Sequence, residues 1–206
     1  MTLFEFDNTY RDRYSLVCGV DEAGRGPLAG DVYAAAVIFP AGVVIDGIDD
    51  SKKLTEKKRE QLFDEIQKHA LASCIAVATV DEIENINILE AAKLAMKRAV
   101  AGLGVSPDIV LIDGNQPPKF ECDYEAVVKG DAKSQSIAAA SILAKVARDR
   151  YMKELAVKYP EWQFEKHKGY GTKLHYQMLD QFGESPVHRH SFLKKYYQKK
   201  AVADGE

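Results

Sequence analysis

Cysteine is scarce in this chain of 206 residues. Cys18, Cys74 and Cys122 form an odd set, with no CxxC pair and no Cys/His ligand spacing. That excludes a disulfide scaffold and a thiolate zinc site. Cys18 and Cys74 lie inside apolar runs, where cysteine acts as a small hydrophobe, as in a reducing compartment. No apolar run reaches the roughly 20 residues that span a bilayer, and Met1–Arg13 carries no apolar segment of a secretory signal. The expectation is a cytoplasmic protein. Internal repeats, linkers and low-complexity stretches are also missing. With 46% apolar residues the chain can bury a core of its own, and a single domain over residues 1–206 is expected.

A strong charge of one sign is lacking too, since the net charge is −3. That figure hides an asymmetry. Residues 145–200 hold 13 Lys+Arg against 6 Asp+Glu, whereas residues 1–144 hold 15 against 23. An acidic body with a basic C-terminal quarter fits a strip that neutralises phosphates, although a solvated helical surface has the same composition.

Apolar patterning gives the order of elements. Tyr14–Val20 is a β-rich run that stops at Asp21-Glu22, and Val32–Phe39 is a second run halted by Pro40. Gly24, Gly26, Pro27 and Gly30 punctuate the gap between them as a hairpin connection. Thr55–His69 reads as an amphipathic helix with Leu62, Phe63 and Ile66 on its apolar face. Leu71–Val80 reads as a third strand, and Ile88–Leu103 as a helix. Ile109–Ile112 is a short, continuous apolar run of the kind found in a buried central strand, and Tyr124–Val128 is a fifth strand. A long helix, small and Ala-rich at its start, covers about Ser134–Lys158. A basic helical region follows from about residue 160, including Thr172–Phe182. Three antiparallel strands followed by helix-crossed strands imply an α/β fold with a mixed five-stranded sheet flanked by helices and a C-terminal helical extension.

Three separate strands run into acids: Asp21-Glu22, Asp113 and Asp131. Strand ends are where α/β folds place ligands, so acids converging there form a candidate metal site. All-oxygen ligation favours Mg²⁺ or Mn²⁺ over zinc, and two such ions can serve a phosphodiester on both sides. Each acid alone has a plainer reading. Asp113-Gly114 is ordinary turn chemistry, and Asp131, just before a helix, is a plausible N-cap.

The surrounding residues decide between these readings. Gly19-Val20-Asp21-Glu22-Ala23-Gly24-Arg25-Gly26-Pro27-Leu28-Ala29-Gly30 closely resembles the signature of ribonuclease HII, the bacterial type 2 ribonuclease H. Asp50-Ser51-Lys52-Lys53-Leu54 and Leu111-Ile112-Asp113-Gly114 match its next blocks. Lys129-Gly130-Asp131, running into Ser136–Asp149, follows in family order. His167-Lys168-Gly169-Tyr170-Gly171-Thr172 and His188-Arg189-His190-Ser191-Phe192 complete the series. The resemblance covers about Leu16–Phe192. It implies a ribonuclease H-like fold, with Asp21, Glu22, Asp113 and Asp131 as catalytic, metal-binding carboxylates. It further implies an endoribonuclease that hydrolyses the RNA strand of RNA·DNA hybrids and nicks duplex DNA 5′ to embedded ribonucleotides. No membrane and no obligate protein partner are implied.

The same blocks supply candidate substrate contacts. Gly24, Arg25 and Gly26 allow close backbone approach, offer a guanidinium for phosphate, and could meet a ribose 2′-OH. Tyr170, between two glycines, offers a flat ring for a sugar or base, and the resemblance gives it a part in sensing the RNA-to-DNA junction. Lys52, Lys53, Lys129 and Lys168 are candidate phosphate contacts. His188 and His190 are two apart, but no third ligand accompanies them, which argues against a metal pair. Asp31 departs from the family pattern, where proline is expected, and adds an acid near the loop. Ribonuclease HIII, a sister class, usually carries an extra N-terminal domain and a different glycine loop, and Arg25 argues against it. A binding module without catalysis has no use for acids clustered beside a phosphate groove. Tyr197–Glu206 carries no clear docking motif.

Overall fold

A computed structural model describes residues 1–203; the last three residues of the Tyr197–Glu206 stretch lie outside them. The expected mixed five-stranded sheet is present. Strands β1 (Val17–Ala23), β2 (Val32–Ile38), β3 (Ala72–Ala78), β4 (Ile109–Asp113) and β5 (Asp123–Val127) lie in the order β3-β2-β1-β4-β5. The β1–β2 and β2–β3 pairs are antiparallel, whereas β1–β4 and β4–β5 are parallel. Central β1 therefore has its acidic end beside the end of β4, where Val20 pairs with Ile112.

Helix α3 (Val80–Ala101) covers one face, burying Val20, Ala34, Ala36, Val110 and Ile112 against Ala92, Ala95 and Ala99. On the other face α4 (Gln135–Lys158) and α2 (Glu56–His69) pack against Ala35 and Val37, with Leu62, Phe63 and Ile66 turned inward as expected. The approach of α4 to β1 is very close. A Cβ on Gly19 would stand 2.1 Å from the Ser136 carbonyl carbon, so only a bare glycine fits. The Ala138–Ala140 run completes this small-residue contact. Beyond it come α5 (Phe164–His167), α6 (Lys173–Phe182) and α7 (His190–Ala203), the expected C-terminal helical extension.

Several boundaries differ from expectation: β1 runs Val17–Ala23 rather than Tyr14–Val20, so Asp21 and Glu22 lie within the strand. Helix α3 begins at Val80 rather than Ile88, and the third strand ends at Ala78. Thr79 caps the helix through a capping box with Glu82, and the chain breaks from helical geometry at Asn87 (φ 66°). Apolar patterning carries the strand to Val80 and finds no helix before Ile88, because 81–87 are mostly polar. The N-terminal helix α1 (Leu3–Arg11) was unforeseen, although Thr2 and Glu5 form its capping box. Its buried Asp7 accepts bonds from the Ser136 amide (2.8 Å) and hydroxyl (2.7 Å), tying α1 to the start of α4.

Candidate active site

The acids arrive from three elements. Asp21 and Glu22 are in the last turn-ward residues of β1, Asp113 ends β4, and Asp131 sits in a short 3₁₀ turn, Gly130–Ala132. Strand alternation sends Asp21 to the α4 face along with Gly19, and Glu22 to the α3 face along with Val20. Oxygens of Asp21, Asp113 and Asp131 lie within 4.8 Å of one another. Glu22 stands apart from that trio, and its carboxylate pairs with Arg25 at 3.2 Å.

The supports of each acid are local. The Gly130 amide donates to Asp113 Oδ1 at 2.6 Å, binding the end of β4 to the turn that carries Asp131. Ser141 on α4 lies beside Asp21 and counters part of the upward push on its carboxyl, and Ser51 Oγ lies 2.9 Å from Ser141 Oγ. The Asp50–Leu54 block thus reaches the site through Ser51 as well as through Lys52, whose Nζ lies 3.5 Å from Asp131. Sequence reasoning missed both serines.

Burial raises the Asp21 carboxyl well above the usual range, and Glu22 and Asp113 add like-charge repulsion. Glu22 and Asp131 are raised as well, chiefly by burial. Buried carboxylates that repel one another, with Lys52 and Arg25 as the adjacent cations, leave uncompensated negative charge. Hard oxygen donors so arranged fit a divalent cation. The opening beside Glu22, Arg25 and Asp113 is a small cleft of about 90 Å³. A roomier cavity of about 840 Å³, bounded by Lys97, Lys119 and Phe120, lies away from the acids. A cleft this small leaves no room to enclose a small-molecule substrate, which suits a polymer laid across the acids.

The remaining candidates separate into those brought together and those not. Gly24 (φ 102°) follows β1 directly, and a Cβ on Gly26 would be 3.8 Å from the Tyr170 ring, so the loop and the tyrosine meet. Tyr170 is 42% exposed. Arg148 and Lys145 of α4 stand 5.9 and 6.0 Å from its ring centroid. Lys129 is exposed in a left-handed turn, and Lys168 turns its amine onto the Glu165 carbonyl. Lys53 pairs with Asp49 instead of reaching the acids.

Asp131 is not an N-cap; Ser134 performs that task for α4 through the Ile137 amide at 3.1 Å. Asp31 faces away from the acids, accepting from the Val80 amide at 2.9 Å, with Tyr151 beside it. It serves the start of α3. His188 and His190 do not converge: His190 is exposed beside Glu184, while His188 is buried against His175.

That buried histidine set is a second support missed in the sequence. The Ser185 amide donates to His188 Nδ1 at 2.8 Å, which leaves His188 Nε2–H as the donor to His175 Nε2 at 2.9 Å. His175 Nδ1–H then donates to the Tyr170 carbonyl at 3.0 Å. His167 stacks on His175 at 4.1 Å. Burial pushes His175 down to about 4 and His188 to about 3, so both rings are neutral at neutral pH.

With the acids, loop and tyrosine at the C-terminal ends of the central strands, comparison with known proteins is decisive. Residues 18–195 match the ribonuclease HII family. The chain belongs to that family. The ribonuclease HII of Caldicellulosiruptor bescii is 55% identical over 181 residues, covering 88% of each chain. Among solved structures, the ribonuclease H2 of Pyrococcus horikoshii OT3 is 29% identical with a TM-score of 0.71, covering 85% of this chain and 93% of its own. Bst-RNase HIII in complex with Mn²⁺ shares the fold at 16% identity and a TM-score of 0.66, covering 93% of this chain and 71% of its own. The expected ribonuclease H-like architecture is thereby borne out, and ribonuclease HII rather than the sister class is the family.

Proposed function

We propose that this protein is a divalent-metal-dependent endoribonuclease that hydrolyses the RNA strand of RNA·DNA hybrids. We further propose that it nicks duplex DNA 5′ to an embedded ribonucleotide, as one catalytic domain acting in the cytoplasm. The observation that carries the reading is the convergence of Asp21, Asp113 and Asp131 within 4.8 Å at the C-terminal ends of the interior strands β1 and β4, in a chain of the ribonuclease HII family.

Asp21, Asp113 and Asp131 would hold Mg²⁺ or Mn²⁺, with Glu22 as the fourth carboxylate approaching from the α3 side. Bound there, a pair of ions would supply activation of water and neutralisation of the leaving oxygen. The chain's own groups do the rest. Lys52, beside Asp131, neutralises phosphate charge at the site, and Lys129 and Lys168 extend that role along the backbone. Gly24, Arg25 and Gly26 lie against the ribose, where backbone donors distinguish a 2′-OH. Tyr170, whose ring flanks Gly26, packs on the sugar that follows.

The test is a duplex DNA carrying one ribonucleotide. A nick on its 5′ side, leaving 3′-OH and 5′-phosphate ends, is expected with Mg²⁺ or Mn²⁺ and is lost on chelation. Full cutting in excess chelator would overturn the metal reading, and an intact duplex with either ion would overturn the substrate reading.

A further inference from the structure

Beneath the Gly24–Gly30 loop lie two fully buried arginines whose partners are backbone carbonyls. Arg189 uses every N–H of its guanidinium. Nε donates to Gly30 O at 2.9 Å, Nη1 to Arg25 O at 3.1 Å and Pro27 O at 2.8 Å, and Nη2 to Gly24 O at 2.7 Å and Gly30 O at 2.6 Å. Its own amide donates to Leu28 O at 2.8 Å. Arg148 holds the neighbouring carbonyls of Ala29 and Asp31, and that of Lys168 beside Tyr170.

Inward carbonyls have a necessary counterpart. In a trans peptide the N–H points opposite to the C=O of the same unit, and the chain has no cis peptide bond among its described residues. The Gly24 carbonyl, turned in to Arg189, turns the Arg25 amide out. The Arg25 carbonyl does the same for the Gly26 amide. Neighbouring units obey this rule: with the Pro27 and Ala29 carbonyls held inward, the Leu28 amide donates to Gly169 O and the Gly30 amide to Val187 O, each at 2.8 Å. The Arg25 and Gly26 amides have no such protein acceptor among the described residues. They are adjacent donors, beside the acids and against Tyr170. Burial and the nearby Arg148 push Arg189 down to about 9, which leaves it charged at neutral pH.

We propose that Arg189 is a positioning residue for ribose recognition: its grip on the Gly24 and Arg25 carbonyls presents the Arg25 and Gly26 amides as a fixed donor pair to the 2′-oxygen. A hydroxyl oxygen has two lone pairs to receive them. The inference rests on the reading of Gly24–Gly26 as the ribose-contacting loop. Lysine in place of Arg189 keeps the charge but has one nitrogen, which cannot hold carbonyls on both sides of the loop.

The experiment measures affinity for a duplex containing one ribonucleotide and for the matching all-DNA duplex, under chelation so that neither is cut. Wild type should prefer the ribonucleotide duplex, and Arg189→Lys should lower that preference roughly five- to twentyfold while Mn²⁺ affinity, measured separately, holds. Merely structural damage would weaken binding of both duplexes alike, and an unchanged preference would overturn the inference. If wild type itself does not distinguish the duplexes, the loop reading falls first; if wild type and Arg189→Lys distinguish them equally, the role of Arg189 alone falls. Should Arg189→Lys fail to fold, the wild-type amide resonances decide. Arg25 and Gly26 should shift with the ribonucleotide duplex beyond their shift with all-DNA, and equal shifts would overturn the inference.

Discussion

Acid should weaken this fold through His175 and His188, by an amount that can be worked out in advance. Their bond needs one protonated and one bare Nε2, an arrangement that serves the Ser185 amide at one end and the Tyr170 carbonyl at the other. A second proton would place two hydrogens between the rings. Burial, and then the charge of a neighbouring ring, depresses both values, from about 6.5 to about 4 for His175 and about 3 for His188. The sign follows. This contribution is complete above about pH 6.5, is lost as pH falls towards the folded values, and levels off below them. At about pH 5 the folded rings stay neutral while each unfolded ring is about 30 to 1 protonated, which is about 2 kcal/mol per ring and about 4 kcal/mol for the pair. Asp21, Glu22 and Asp131 act in the opposite direction, because their raised values make protonation easier in the folded state. Urea unfolding of wild type and of the His175→Gln/His188→Gln double variant, at about pH 8 and about pH 5, isolates the pair. Wild type should lose about 4 kcal/mol more than the double variant. Equal losses would refute the reading that the fold buries both rings neutral.

Asp131→Asn should lower cleavage at least about a hundredfold, since losing a direct ligand exceeds the 10–100-fold effect of an outer partner. Its metal-free melting temperature should match or exceed wild type, because Ser134 makes the cap and one repelling charge is gone; a matching fall in rate and stability would count against ligation. Tyr170→Ala should slow nicking at a single ribonucleotide roughly five- to a hundredfold, the worth of one stacked ring, and unchanged kinetics would make the tyrosine merely structural. Gly19→Ala should cost about 3 kcal/mol or more, since its Cβ collides with the Ser136 backbone. Calorimetry should then show melting lowered by about 6–12 °C, and a smaller drop would mean that α4 yields readily.

The acids and the sheet were legible because each leaves a local mark. Val17–Val20 and Ile109–Ile112 are uninterrupted apolar runs that stop at carboxylates, and the glycines after Glu22 announce a turn. What was not legible depends on contacts distant in sequence. Arg189 looks like any basic residue among its neighbours, and nothing local says that its five donors meet carbonyls about 160 positions earlier. Ser141 reads as a small helix residue until Ser51 and Asp21 are brought to it. The start of α3 escapes the pattern because Thr79-Val80 suits a strand as well and 81–87 are mostly polar. The Thr2–Glu5 capping box is a local mark of α1, but a helix of nine residues leaves little length for periodicity beside it.

The bond from Arg189 to Gly24 joins residues 165 apart, nearly the full length of the chain. Contacts of such separation form late, after the loop between them has closed. Synthesis adds a second delay. All four carboxylates precede Lys133, whereas Arg189 comes almost sixty residues after Asp131, or roughly 3–12 s at common translation rates. A nascent chain thus holds its acids before it holds the brace of its recognition loop. On the roles proposed above, it can gather a cation while still unable to tell ribose from deoxyribose, and selectivity is the last property that folding confers.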